Sequence, residues 1–428
     1  MIRISLVIAL FSFYFGNAQT LFIGSNTIDS TNSCVIEGYA NAFYQGQGLS
    51  NEFMNKLIFG GYIDDQLKDQ TEQKLLNFGN RLAIGFSSGI KCYIETDSLL
   101  KNPNWNYALN ADYIELNSSS YSKDLFHVIF SGNADRIGQN MELGPSFMNR
   151  VVFQKLGLNL AHKSNNCEFG VSFIKGQSHL ALAANKMTLH TESDLSAISL
   201  ETNTNIQSAN KRGNNIGALN GLGFALNFTY SHPIKVNNHS SASLSKETVA
   251  TKEIGTITFQ MDNVGTVAWN NYPNTYQIDT TYSYAGYEVD NLFDTGNANW
   301  LNENVLSDSL LPQPEVSNYW TLLPAVFNIV YVSKLTAAHP LGSVAGARYQ
   351  INANMKPMVY GGVNIRLHRK LNTSVIGIVG GYGTITAGMR INYSSKLISA
   401  FSSCNNMIGL FSKKGYGKNI NLGLQCRF

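Results

Sequence analysis

Eight histidines, five cysteines, three arginines near the C-terminus and one glycine-rich run are the residues of this chain best suited to chemistry. His127, His162, His179, His190, His232, His239, His339 and His368 contain no HxxxH pair, so their spacing offers no metal site. Cys34, Cys92, Cys167, Cys404 and Cys426 are odd in number, far apart and without a CxxC. That excludes a zinc ribbon or a disulfide framework, although one pair could close in an oxidising compartment. The run Gly377–Gly383 reads GIVGGYG but falls in a hairpin turn, not ahead of a helix, so it is no phosphate loop. No Ser/His pair is placed by spacing alone. No catalytic residue, metal ligand or cofactor is therefore expected. Arg348, Arg366 and Arg390 are left, all on the same face of nearby strands. Guanidinium groups there suit an anionic headgroup or carboxylate, or pairing with acidic plug or loop residues.

The elements that carry these arginines alternate with period two. Tyr349, Ile351, Ala353 and Met355 oppose Arg348, Gln350, Asn352 and Asn354. Val359 to Leu367 and Ile385 to Tyr393 repeat the pattern, with Arg366 and Arg390 on their polar faces. The last strand, Gly417–Phe428, puts Ile420, Leu422, Leu424, Cys426 and Phe428 on one side and Asn419, Asn421 and Arg427 on the other. Short turns such as Gly380-Gly381 and Ser394-Ser395 separate the strands. The polar faces hold Asn, Gln, Gly, Ser and Arg instead of the Lys and Glu of a soluble sandwich. This suits a polar lumen inside an apolar belt.

Composition agrees. Only 14% of the 428 residues are charged, against about 25% in soluble domains. Net charge is +3 with no basic stripe, which excludes a nucleic-acid partner. Residues 1–18 read as a secretory signal: Arg3, an apolar run over Ile4–Phe15, then Gly16-Asn17-Ala18. Residues 19–79 read as an N-terminal plug or periplasmic segment. Its short helix over Tyr62–Phe78 would line Ile63, Leu67, Thr71 and Leu75 along one face. Residues 80–428 read as the transmembrane barrel of about fourteen strands. That count includes a separate strand over 178–200, one over 344–355, and a kink near Asp262–Gly265. An even count puts both termini in the periplasm, 271–320 outside the cell, and 121–148 and 232–252 inside. The stretch 271–320 is acidic, carries Pro312 and Pro314, and reads as a loop.

Three stretches carry a resemblance: FGGYIDDQLKD (59–69), YSKDLFHVIFSGN (121–133) and MDNVGTVAW (261–269). With the C-terminal hairpins they resemble an uncharacterised family of Bacteroidetes-type outer-membrane barrel proteins. That family is similar in architecture to outer-membrane long-chain fatty-acid transporters, which are fourteen-stranded with an N-terminal plug. The resemblance implies an all-β transmembrane antiparallel barrel in the outer membrane of a Gram-negative envelope. Its partners would be outer-membrane lipid, the assembly machinery that reads a C-terminal strand ending in Phe428, and an envelope protein. It carries no functional residues. Two functions follow as expectations. One is transport of a hydrophobic or amphipathic small molecule. The other is a non-transporting structural or anchoring component of an envelope or secretion assembly. An open lumen would favour the first, and a lumen packed with side chains the second.

Overall fold

The computed structural model describes residues 34–94, 105–162, 166–210, 217–238, 250–285, 313–383 and 385–428. The expected signal at 1–18 lies outside them. The strands are β1 Cys34–Gly46, β2 Asn80–Ile94, β3 Trp105–Tyr121, β4 Asn140–Glu142, β5 Ser146–His162, β6 Cys167–Thr191, β7 Ile198–Ala209, β8 Gly221–Asn238 and β9 Ala250–Trp269. They continue as β10 Pro273–Tyr284, β11 Tyr319–Leu322, β12 Val326–Ser333, β13 Leu341–Gln350, β14 Lys356–His368, β15 Leu371–Gly381, β16 Ile385–Ser394, β17 Ile398–Cys404 and β18 Lys418–Arg427. Among the described residues four helices interrupt them: α1 Asn51–Phe59, α2 Asp65–Glu72, α3 Lys123–Phe130 and α4 Met407–Phe411.

Every neighbouring pair is antiparallel, and β18 pairs back onto β1 from Val35↔Arg427 to Tyr44↔Lys418. The sheet is therefore closed, which leaves no strand edge for lipid to face. Four staves of the wall are broken in two. β4 and β5 both pair with β6, as do β7 and β8 on its other side. β9 and β10 follow one another along the next stave, and β11 and β12 both pair with β9. The eighteen strands among the described residues thus build fourteen staves.

The stave count is as expected, but two staves differ from the sequence reading. β1 is a wall strand, so the barrel includes Cys34–Gly46 and does not begin at residue 80. Residues 178–191 are no separate stave but the upper half of the 25-residue β6, and 198–200 open β7. Adding β1 reverses the side of the next connection. Residues 122–145 lie on the same rim as 47–79, not on the inner side. The kink in β9 is real: Asn263 takes φ 57° where the ladder with β8 shifts register. The stretch 271–320 is not all loop, because 273–284 form β10. The strand expected over 344–355 stops at Gln350, where Asn352 and Asn354 adopt φ of 54° and 48°. Asparagine tolerates that left-handed region and so ends a strand.

One rim holds the short joins β5–β6, β14–β15 and β16–β17 together with both ends of the described chain. The other carries the long excursions 47–79, 122–145 and 405–417. Outer-membrane barrels keep short turns and termini in the periplasm and long loops outside. These are called the terminal rim and the loop rim. Outward residues such as Leu156, Leu158, Phe173, Phe224, Val359, Val379 and Leu424 are exposed and apolar. They form a lipid-facing belt, since water would make so large an apolar surface costly. Among the described residues no helix is long and apolar enough to cross a membrane, so strands do the spanning.

Candidate functional site

The lumen is packed. At the terminal rim Val35, Tyr93 and Ala108 close against one another. Above them lies a polar layer. Asn110 Nδ2 donates to Asp112 Oδ2 at 2.6 Å, and Lys155 reaches the same oxygen at 3.2 Å. Tyr39 Oη donates to Asp112, and Lys91 pairs with Glu168. Asn159 donates to that glutamate at 2.6 Å. On the facing wall Asn419 donates to Asn41 at 2.8 Å and Asn421 to Ser403 at 3.0 Å. Charges held away from bulk water need such partners. Glycines make room for the larger rings. A Cβ on Gly85 would collide with Phe43, and one on Gly423 with Phe401.

The upper lumen is apolar, built from Phe43, Phe153, Ile174, Trp269, Tyr360 and Tyr382 among others. Across it runs the turn 351–355. It leaves β13 and β14 and reaches the opposite wall. Asn149 Nδ2 donates to Asn352 O at 2.9 Å, and Arg81 Nε donates to Asn354 O at 2.8 Å. Tyr382 Oη donates to Ala353 O at 2.5 Å, and Ala353 has no exposed surface. Arg81 and Asn149 belong to β2 and β5, half the circumference from β13 and β14. The turn is a bar across the mouth.

The three expected arginines divide. Arg348 and Arg390 face the lumen and are buried, 5% and 7% exposed. Arg390 lies over the ring of Phe401, 4.1 Å from its centroid. Arg366 sits lower on β14, half-buried, near the terminal rim. They do not converge on one ligand position. Arg348 and Arg390 are on staves separated by β14 and β15, and both are enclosed by the packing described above.

Local sequence explains the cap on the loop rim. Ser50, Asp64 and Ser122 each accept a hydrogen bond from the first turn of α1, α2 and α3. Leu49, Phe53, Met54, Leu67, Leu75 and Phe126 bury their apolar faces together. Phe53 contacts the rings of Phe126 and Phe130 at 5.5 and 5.0 Å. Leu67, Thr71 and Leu75 are buried and Ile63 packs beside them as expected, but the helix spans only Asp65–Glu72, so Ile63 and Leu75 flank it.

Between α2 and α3 lies a cleft of about 210 Å³ lined by Asp69, Glu72, Gln73, Lys123, His127, Asp135 and Arg136. His127 contacts Glu72 Oε2 through Nδ1 and Asp135 Oδ1 through Nε2, each at 2.8 Å. Lys123 and Arg136 approach the other Glu72 oxygen at 4.0 and 3.6 Å. Burial works against the imidazolium, but the two carboxylates outweigh it and hold the His127 pKa above the usual histidine value. The His127 hydrogen bond in turn holds the Asp135 carboxyl below its usual range. With both ring nitrogens engaged, His127 acts as a clasp between α2 and the loop after α3. Sequence reasoning missed this cluster because Glu72 and His127 stand 55 positions apart. Its one local signal was the acidic, helical stretch around Asp69 and Glu72.

No family model matches the chain, and no curated protein matches it. Solved structures with a similar course include the translocator domain of the autotransporter NalP from Neisseria meningitidis. It is 10% identical, covers 94% of this chain and 90% of that one, and gives a TM-score of 0.31. The P. putida toluene transporter TodX is 6% identical over 92% and 90% of the two chains, with a TM-score of 0.40. The CymD monoaromatic hydrocarbon channel is 6% identical over 93% and 89%, with a TM-score of 0.29. At such values these likenesses carry no activity, ligand or partner over to this chain. What its own closed wall and apolar belt establish is an outer-membrane β-barrel of the Gram-negative type.

Proposed function

We propose that this barrel is a non-conducting membrane anchor, which holds an ordered cap and a raised part of its wall outside the cell for a partner protein of the envelope. The bar formed by 351–355 is the observation that carries this reading. It crosses the lumen and is bonded to the far wall, while lumen residues such as Asn41, Asp112 and Arg390 are below one-tenth exposed. Water-filled pores leave such residues wet. The proposal includes no catalysis and no axial passage for a solute. Reconstitution into planar bilayers tests it. The intact protein is expected to give no stepwise current, and well-defined open-channel steps would overturn the anchor.

Transport of a small hydrophobic or amphipathic molecule has one observation in its favour. β17 ends at Cys404, where it pairs with Met389, while β16 runs on to Ile385 and β18 to Lys418. Above β17 the wall lacks a stave, and α4 packs there against β16 and β18. A molecule leaving sideways would pass at this point. Mass spectrometry of protein extracted gently from its own membrane separates the readings. A stoichiometric partner chain supports the anchor, and a stoichiometric bound small molecule supports transport.

A further inference from the structure

The first hairpin of this barrel has an unusual problem of register. β1 and β2 are joined by the 33 residues 47–79, which contain α1 and α2. A tight turn fixes the pairing of its two strands, but an excursion of that length does not. Slipping β1 by one residue against β2 would send Glu37 and Asn41 to the lipid and Ile36 to the lumen. The outward face of β1 guards weakly against the slip. Between Ile36 and Tyr44 it offers only Gly38, Ala40 and Ala42, so little apolar surface distinguishes one register from the next.

At the opposite, open end of this hairpin the sulfurs of Cys34 and Cys92 lie 3.8 Å apart. The ladder pairs Cys34 with Ile94 and Ile36 with Cys92, so the two cysteines are diagonal neighbours on the same outward face. Both are partly buried, and both stand at the terminal rim, on the periplasmic side. Two thiols in contact across adjacent strands need little movement to reach bonding distance. Outer-membrane chains pass through the periplasm, a compartment that oxidises thiols.

We propose that Cys34 and Cys92 are joined by a disulfide in the mature protein, and that this bond fixes the register of the first hairpin. The oxidant is a periplasmic protein disulfide. One cysteine thiolate attacks a sulfur of that disulfide and forms a mixed disulfide, releasing one partner thiolate. The second cysteine thiolate then attacks the first cysteine's sulfur and releases the other partner thiolate. The new S–S bond forms as the mixed one breaks. Two electrons and two protons pass to the partner, which departs as a dithiol. The bond would have its effect before β18 arrives to close the wall on β1.

Differential alkylation of protein taken from its own membrane tests this. The sample is acid-quenched, denatured without reductant and blocked with iodoacetamide. It is then reduced and labelled with a second, heavier reagent. Two of the five cysteines, Cys34 and Cys92, are expected to carry the second label. The peptide beginning at Cys92, freed by trypsin at Lys91 and Lys101, is expected to run joined to the Cys34 peptide until reduced. First label on both cysteines, or a link from Cys34 to Cys426, would overturn the proposal. A gel of the denatured chain gives a readout independent of folding. The unreduced wild type should migrate faster than its reduced form, and C92S should lose that difference. A wild type with no difference counts against the bond.

Discussion

His127 is the residue with the most direct consequence for solution behaviour. It faces Glu72 from α2, Asp135 and Arg136 from the following loop, and Lys123 from its own helix, with Asp69 across the cleft. A histidine whose folded pKa is raised stabilises fully below its unfolded pKa and loses that contribution as pH rises through the folded value. The cap should therefore loosen as pH rises through that raised folded value. Hydrogen exchange of peptides within 123–139, corrected for intrinsic rates, should rise with pH there. H127Q should exchange fast at every pH. Asn51 gives a second prediction at this scale. Its side chain donates to Gly409 O at 2.6 Å and Ser412 O at 2.8 Å and accepts from Gly417 N at 2.8 Å. It is fully buried and ties α1 to the segment around α4. Asn51→Ala strands these groups at a local cost of about 1–3 kcal/mol. Trypsin should then cut at Lys413 or Lys414 several-fold faster than in the wild type. The lumen face of Arg348 and Arg390 was legible from alternation alone. The pairing of Glu72 with His127 was not, because it depends on how two loops meet above the wall.

Among the elements, the bar 351–355 yields the sharpest test. Replacing these residues with a two-residue Asn-Gly turn keeps the hairpin but removes the contacts to Asn149, Arg81 and Tyr382. The shortened barrel should pass current in steps where the wild type passes none, and it should still show heat-modifiable migration on gels. Loss of that migration would mark a misfolded variant, not an open one. The C-terminal strands were readable because lipid on one side and packed polar groups on the other enforce strong contrast. β1 escaped notice because that contrast is reversed. Its large rings, Tyr39 and Phe43, point inward, and Gly38, Ala40 and Ala42 point out. β10 escaped because it stands beyond the rim, where no lipid imposes an apolar face. The turn 351–355 was read as more strand because Ile351, Ala353 and Met355 continue the alternation. Only the backbone of Asn352 and Asn354 breaks it.

Taken whole, the molecule has two unlike ends. An epitope inserted between Asn133 and Ala134 should be reached by antibody on intact cells, and one between Arg369 and Lys370 only after permeabilisation. The reverse pattern would invert the barrel. The expected number of staves held because two misreadings offset one another. β1 was missed, and the upper part of β6 was counted separately. Length of alternation cannot distinguish a strand that turns back from one that continues past the membrane. β6 continues for 25 residues, about 80 Å of extended chain. Its lower part pairs with β8 inside the wall and its upper part with β7 and β4 beyond it. Anything gripping the raised part of the wall would thus pull on a single covalent strand running straight down into the membrane. Tension along that line loads the ladders between β6 and its neighbours in shear, where many hydrogen bonds resist together. A peeling force would break them one at a time. A wall threaded in this way would bear a pull from that side without unzipping.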